Sequence, residues 1–210
     1  MKKTLFYLFA VITIFSVTFV ACEKDDIGGN ASIIEAKNVD VSECTFWTDG
    51  YVEYNPITGE WEWIPGKYSS ANIIAVKAIL SNYDYEVAES EFRSNSFSLK
   101  LSNVPEHYLD FVTSWSRITE DMISDKNAKW QFIRVYVYDD KKNDWRLSLR
   151  DSRDMYGEYV YVDRKFTIQG VNNGYQYDCS FKKGWNIIYE FNGKYMTKKP
   201  SDTNFRWEVY

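Results

Sequence analysis

The feature that most constrains the fold is a succession of short segments in which apolar and polar residues alternate. Residues 97–101 and 175–181 are clear examples, and turn-forming Gly, Asn and Asp residues separate such segments. Alternation with a period of two is typical of β-strands. The chain also contains 17 Tyr, 13 Phe and 8 Trp, and aromatic side chains pack well on a pleated surface. The sequence therefore predicts a mainly β fold.

Two hairpins are predicted with particular clarity. Residues 51–54 and 61–64 alternate on either side of an Asn-Pro…Gly turn, and residues 130–138 and 145–149 flank a polar turn over residues 139–144. Residues 72–80 are predicted to form a strand buried on both faces. Further strands are predicted at residues 97–101, 159–162, 165–168, 175–181, 185–191 and 205–210. This pattern favours an antiparallel β-sandwich of immunoglobulin-like or transthyretin-like type, formed by a single domain over residues 31–210.

One segment has helical spacing instead. Between residues 105 and 125, Leu109, Val112, Trp115 and Met122 recur three to four residues apart or at multiples of that spacing. Such spacing places apolar side chains on one face of a helix. We expect one short helix there.

The N-terminus has the composition of an export signal. Lys2 and Lys3 precede an uncharged, largely apolar run over residues 5–21, which ends at Cys22. The run is near the lower limit of about 17–25 residues for crossing a bilayer. A secretory signal peptide over residues 1–21 is the main interpretation, and a signal-anchor helix is the alternative.

Val20-Ala21-Cys22 resembles a bacterial lipobox. The resemblance implies that the Cys22 thiol is acylated, that the signal is cleaved before Cys22, and that residues 22–30 form a flexible acidic tether. Residues 22–26 (Cys-Glu-Lys-Asp-Asp) also resemble the export signal of surface lipoproteins in the Bacteroidota. This implies an outer-membrane lipid anchor that faces the cell exterior, with a periplasm-facing anchor as the alternative.

Charge narrows the range of partners. The chain has a net charge of −5, and loss of Lys2 and Lys3 with the signal makes the mature protein more negative. Such a surface has no electrostatic attraction to phosphate backbones or anionic headgroups, so nucleic acid is not a predicted partner. The lipid on Cys22 must therefore hold the protein on the membrane.

A segment in the C-terminal half, Lys182-Lys183-Gly184-Trp185-Asn186, resembles one that recurs near the end of uncharacterised β-sandwich lipoproteins from the same bacteria. Residues 124–129, residues 166–170 and the final strand around Trp207 fit the same pattern, so the resemblance covers roughly residues 95–210. It implies fold and location only. The residues themselves predict that Trp185 packs in the core.

Chemistry-bearing residues are few. Cys44 and Cys179, both on apolar faces, either form a disulfide or remain buried free thiols. His107 is the only histidine, which excludes an HExxH zinc motif and leaves little room for a catalytic triad. We predict no catalytic set, metal or cofactor.

The most suggestive functional feature is aromatic. Trp61 and Trp63 share one face of the first predicted hairpin, and Tyr51 is assigned to the same platform. Exposed aromatic rings can stack on the apolar faces of sugars, but buried rings would serve the core instead. Two functions follow as hypotheses. The first is a non-enzymatic surface lipoprotein of interaction or structural type, with a glycan or protein partner. The second is a carbohydrate-binding module of a surface glycan-uptake system.

Overall fold

The computed structural model describes residues 32–48 and 50–209, and the fold in this part of the chain is mainly β, as predicted. Three single turns of 3-10 helix occupy Glu106–Tyr108, Val112–Ser114 and Glu120–Met122. The strands are β1 (Ile33–Ala36), β2 (Thr45–Thr48), β3 (Tyr51–Asn55), β4 (Glu60–Ile64), β5 (Lys67–Ser70), β6 (Ile73–Leu80), β7 (Glu86–Glu91), β8 (Phe97–Lys100), β9 (Asp110–Phe111), β10 (Lys129–Asp139), β11 (Asp144–Asp151), β12 (Met155–Val162), β13 (Phe166–Asn172), β14 (Tyr175–Phe181), β15 (Gly184–Phe191), β16 (Lys194–Met196) and β17 (Arg206–Val209).

Most strands belong to one large sheet. Its order is β13-β14-β16-β15-β12-β11-β10-β6-β7, with β9 paired to β10 and β17 paired to β11. Three two-stranded sheets accompany it: β1–β8, β2–β5 and β3–β4. The ladder between β14 and β16 is parallel, so the large sheet is mixed rather than wholly antiparallel as predicted. The hairpins predicted around residues 55–59 and 139–144 are confirmed as β3–β4 and β10–β11.

Two apolar cores pack on opposite faces of the large sheet, as alternate residues of β12 show. Tyr159 and Tyr161 face the first core, whereas Val160 and Val162 face the second. The first core includes side chains of β1, β6, β8 and β10. The second core includes side chains of β12, β13, β14 and β15 and of the second and third 3-10 turns, with Phe166 and Phe181 stacked at 4.6 Å. The sheet is thus covered on each side over part of its area.

The strand at residues 72–80 is confirmed, but burial on both of its faces is not. Val76, Ala78 and Leu80 are buried in the first core. The opposite face carries Lys77, which forms ion pairs with Glu86 and Glu89 at 2.8 and 3.2 Å. Because two carboxylates pair with Lys77, a charged side chain is tolerated on this face.

The prediction of a short helix between residues 105 and 125 is wrong. The segment contains the three 3-10 turns and β9, and the residues that cap each turn have extended backbone angles. Leu109 packs against the first core, whereas Val112 and Met122 are buried in the second. One face of a helix cannot reach two cores on opposite sides of a sheet. The chain therefore changes direction repeatedly, and each turn after Leu109 buries one side chain in the second core.

Candidate functional site

Two of the small sheets form one long hairpin, termed the arm (residues 45–70). Thr45 pairs with Ser70 at its base, and Asn55 pairs with Glu60 next to its tip. In both the β2–β5 and the β3–β4 ladder, each step forward along one strand is matched by one step back along the other. The pairing that begins at Thr45 and Ser70 therefore continues without a shift to Asn55 and Glu60. With a rise of about 3.3 Å per residue, eleven positions give the arm a length of about 35 Å.

The arm is attached to the body only at its base, as far as the described residues show. The Ala71 amide donates a hydrogen bond of 2.8 Å to the Cys44 carbonyl. Cys44 is fully buried in the first core, and Ala71 packs against that core. None of the described side chains within the arm belongs to either core. Cys44 therefore anchors a hairpin that leaves the body of the domain.

The tip is closed by the Asn-Pro…Gly turn that the sequence predicted. The Asn55 carbonyl accepts a hydrogen bond from the Gly59 amide at 2.8 Å, and the Asn55 side-chain oxygen accepts one from the Ile57 amide at 3.0 Å. Gly59 has a φ of 74°, a conformation that glycine adopts without steric cost. Ile57 lies at the outermost point of this turn and is 94% exposed.

The pairing register decides which side chains share a face. Trp61 lies directly opposite Tyr54, and Trp63 lies directly opposite Val52. Directly opposed residues of an antiparallel pair project to the same side. These four residues therefore form one surface, termed the aromatic face. The rings of Tyr54 and Trp61 lie 5.3 Å apart and are inclined at 58°.

The aromatic face is open to solvent. Trp61 is 71% exposed and Trp63 is 65% exposed. In the described part of the chain, eleven large apolar side chains are exposed, and seven of them lie on the arm: Tyr51, Val52, Tyr54, Ile57, Trp61, Trp63 and Tyr68. Scattered exposed apolar residues are ordinary on protein surfaces, whereas a concentration of them marks a contact surface.

Tyr51 does not belong to the aromatic face. It pairs with Ile64 and projects to the opposite side of the hairpin, because neighbouring residues of a strand alternate between faces. That opposite side is acidic, since Glu53 pairs with Glu62 and Glu60 pairs with Asn55. The Asn55 side-chain amide donates a hydrogen bond of 2.7 Å to Glu62. The arm thus presents the aromatic face on one side and, on the other, three carboxylates together with Tyr51 and Ile64.

The other predicted site residues lie apart from the arm or outside the described region. Cys22 lies outside the described residues. Cys44 and Cys179 were predicted either to form a disulfide or to remain buried free thiols. In the structure they are free thiols buried in different cores. Desolvation raises the pKa of Cys44 to about 11 and that of Cys179 to about 12, which keeps both thiols protonated at neutral pH.

His107 is exposed at the first 3-10 turn, with its ring centroid 4.1 Å from that of Tyr108. Among the described residues, no group of three or more His, Cys, Asp and Glu side chains is placed to hold a metal ion. No helix in residues 32–48 and 50–209 has the length and apolar character to cross a membrane.

Inspection of the sequence missed two members of the aromatic face. Tyr54 and Val52 join Trp61 and Trp63 because Asn55 pairs with Glu60 across a four-residue loop. The signal was present in the spacing between Asn55 and Gly59, which fixes the register once the loop length is known. Without that length, the side of the hairpin to which each residue points is ambiguous.

Comparison with known proteins provides no relative from which a function could be transferred. No protein-family model matches the chain, and neither a curated protein nor a solved structure matches it significantly. The functional argument therefore depends on the arm and on the rest of the described surface.

Proposed function

We propose that this chain is a lipid-anchored cell-surface protein that binds carbohydrate through the aromatic face of its arm. The observation that carries the proposal is the exposure of Trp61 and Trp63 side by side with Tyr54 and Val52. Full burial of one large apolar side chain stabilises a fold by about 1.5–3 kcal/mol. These side chains forgo most of that contribution, so packing within the domain does not explain them.

The chemistry of the arm favours sugars of low charge. Indole and phenol rings stack on the apolar faces of sugar rings, and successive outward positions of one strand, such as Trp61 and Trp63, suit successive sugar units. Glu53, Glu60 and Glu62 lie on the other side of the same thin hairpin and would repel a polyanion. We therefore assign a neutral glycan to the arm.

The anchor and the fold type complete the proposal. The lipobox and export motif support an acylated Cys22 in the outer leaflet of the outer membrane, with residues 22–30 as a tether before β1. Apolar cores on both faces of the large sheet support a β-sandwich of immunoglobulin-like or transthyretin-like type. The protein acts as a binding module of a glycan-uptake system rather than as an enzyme. Cys22→Ser tests the anchor, because this variant should lose acylation and processing.

The test of the arm is a glycan array probed with residues 31–210, followed by titration of any neutral glycan that is retained. Trp61→Ala and Trp63→Ala should each weaken binding by about thirtyfold, the loss typical of an aromatic anchor at a binding surface. Tyr51→Ala is the matched control, since Tyr51 is 57% exposed on the same arm but projects to the other side. Its affinity should equal that of the unaltered protein.

Two results would overturn the proposal. One is an array without any retained glycan, and the other is glycan binding that Trp61→Ala and Trp63→Ala leave unchanged. Retention of a protein partner alone, lost in the same two variants, would favour the broader function of a surface interaction protein.

A further inference from the structure

A second surface lies on the body of the domain, where the large sheet forks. β10 pairs with β12 through Trp130–Phe132 and with β11 through Val135–Tyr138. Between these ladders, Ile133 and Arg134 have no partner on that edge of β10. β11 and β12 then pair with each other through Leu149–Asp151. A cavity of about 280 Å³, termed the fork pocket, opens where the three strands separate.

The fork pocket carries a mixed but predominantly cationic set of groups. Arg117, Arg134 and Arg146 line it, together with Glu158 and Glu190. Three guanidinium groups against two carboxylates give a local excess of positive charge in a chain whose net charge is −5. A pocket of this sign attracts an anionic group that the rest of the surface repels.

Arg134 is the cation that is most available to a ligand. Its position on the strand is fixed by the β10–β6 ladder, where it pairs with Ile79. The side chain is exposed, and none of the hydrogen bonds or ion pairs found among the described residues involves it. Arg134 also lines a second, more open cavity of about 340 Å³.

Two other lining side chains, Arg117 and Tyr195, are held in place by contacts with their neighbours. Arg117 donates a hydrogen bond of 3.2 Å to the Tyr195 hydroxyl, and its guanidinium lies 4.3 Å from the ring centroid of Tyr175. Tyr195 stacks on Tyr177 with ring centroids 4.9 Å apart and planes 9° from parallel. A ligand that enters the pocket therefore meets a rigid aromatic and cationic wall, and little ordering is needed on binding.

Glu158 and Glu190 supply acceptors for hydroxyl groups. Glu158 lies in a recess that still admits water, since half of its side-chain surface remains exposed, and desolvation in this recess raises its pKa. The Glu158 Oε1 and Arg146 Nη2 atoms are 4.0 Å apart, the outer limit of an ion pair.

We propose that the fork pocket binds one carboxylate-bearing sugar unit, with the carboxylate on Arg134 and the hydroxyls on Glu158 and Glu190. A guanidinium matches a carboxylate through two parallel N–H···O bonds. Tyr156 and Tyr195, which also line the pocket, provide ring surfaces for the sugar. The cavity is at the small end of ligand sites, so it fits a single ring rather than a longer chain. This site is separate from the arm and takes the opposite class of sugar.

The experiment is a calorimetric titration of the full-length chain, purified in detergent, with glucuronate, galacturonate, glucose and glucose 6-sulfate. Binding of at least one uronate is the expected result, and any binding of glucose should occur on the arm and disappear in Trp61→Ala. Arg134→Gln should weaken uronate binding about tenfold or more, the range for losing hydrogen bonds to a charged group. Arg93→Gln is the control, because Arg93 is an exposed arginine that does not line the pocket and forms an ion pair with Glu91 at 2.6 Å. The melting temperatures of both variants should match that of the unaltered chain, which separates a binding defect from a folding defect.

Several outcomes would overturn the inference. They are the absence of uronate binding with a Kd below about 1 mM, glucose binding that equals uronate binding and persists in Trp61→Ala, binding of the sulfate ester alone, and unchanged uronate affinity in Arg134→Gln. Trp61→Ala should leave uronate binding intact. Failure of the arm proposal and failure of the fork-pocket proposal are thus independent results.

Discussion

At the scale of single residues, Asn186 shows how one buried amide organises a turn. Its side chain is fully buried, accepts a hydrogen bond from the Lys182 amide at 3.1 Å, and donates to the carbonyls of Lys182 and Gly184 at 2.8 and 2.9 Å. Asn186→Ala should lower the free energy of unfolding by about 2 kcal/mol, because it leaves buried polar groups without partners. Urea denaturation measures this. Lys183→Ala, an exposed change in the same turn, is the control, and a loss for Asn186→Ala below about 0.5 kcal/mol would contradict the argument.

The same segment shows what the sequence reveals at this scale. Trp185 was predicted to pack in the core, and it is buried there, with its ring 5.2 Å from that of Tyr161. Its hydrogen bond from Nε1 to the Ser102 carbonyl, at 2.9 Å, joins residues 83 positions apart. Apolar character predicts burial, but the backbone group that a polar side chain reaches depends on tertiary placement. The role of Asn186 and the separation of Cys44 from Cys179 could not be predicted for the same reason.

At the scale of elements, two aspartates secure the turns that flank β11. Asp151 accepts hydrogen bonds from the Asn204 amide at 2.8 Å and from the amide and Nε of Arg153 at 3.0 Å, and these bonds lower its pKa. At Asp139, desolvation alone would raise the pKa, but hydrogen bonds from Asn143 and Lys141 outweigh it, so the pKa is lowered. Asp151 also ties the loop before β17 to the body of the domain.

These lowered pKa values predict acid lability with a definite sign. A carboxyl group whose pKa is lower in the folded state contributes stability above its unfolded pKa of about 3.9, and that stability is lost as the pH falls through the folded value. The thermal unfolding midpoint should therefore fall below about pH 4. Asp151→Asn should be less stable than the unaltered protein at pH 7, and the difference should shrink in acid. Asp154→Asn, an exposed change in the same turn, should follow the unaltered protein throughout, and parallel pH profiles for Asp151→Asn and the unaltered protein would contradict the prediction.

Strands were predictable and the 105–125 segment was not, for a physical reason. Alternation is a local signal, so β14 and both hairpins follow from the residues themselves. Helical spacing in residues 105–125 is also local, but the two cores that divide this segment are formed by distant strands. The fork pocket has the same origin, because three strands separate there and no local pattern marks the point.

At the scale of the whole molecule, the described chain separates into a body that holds both cores and an arm that holds most of the exposed aromatic rings. This division predicts that the arm can be removed. Replacement of residues 45–70 by Asn-Gly would join Cys44 to Ala71, which are already hydrogen-bonded neighbours, through a two-residue hairpin turn. Because none of the described arm side chains packs in a core, the melting temperature should change by less than about 4 °C, which corresponds to roughly 1 kcal/mol for a domain of this size.

The shortened protein should keep uronate binding at the fork pocket and lose binding of neutral glycans. Differential scanning calorimetry and the two titrations measure these properties on one sample. A large fall in melting temperature, or loss of a cooperative transition, would show that the arm stabilises the body, and the exposed rings would then no longer require a ligand to explain them. Retained stability with loss of neutral-glycan binding alone would mean that the arm adds little to folding and that its aromatic face serves recognition.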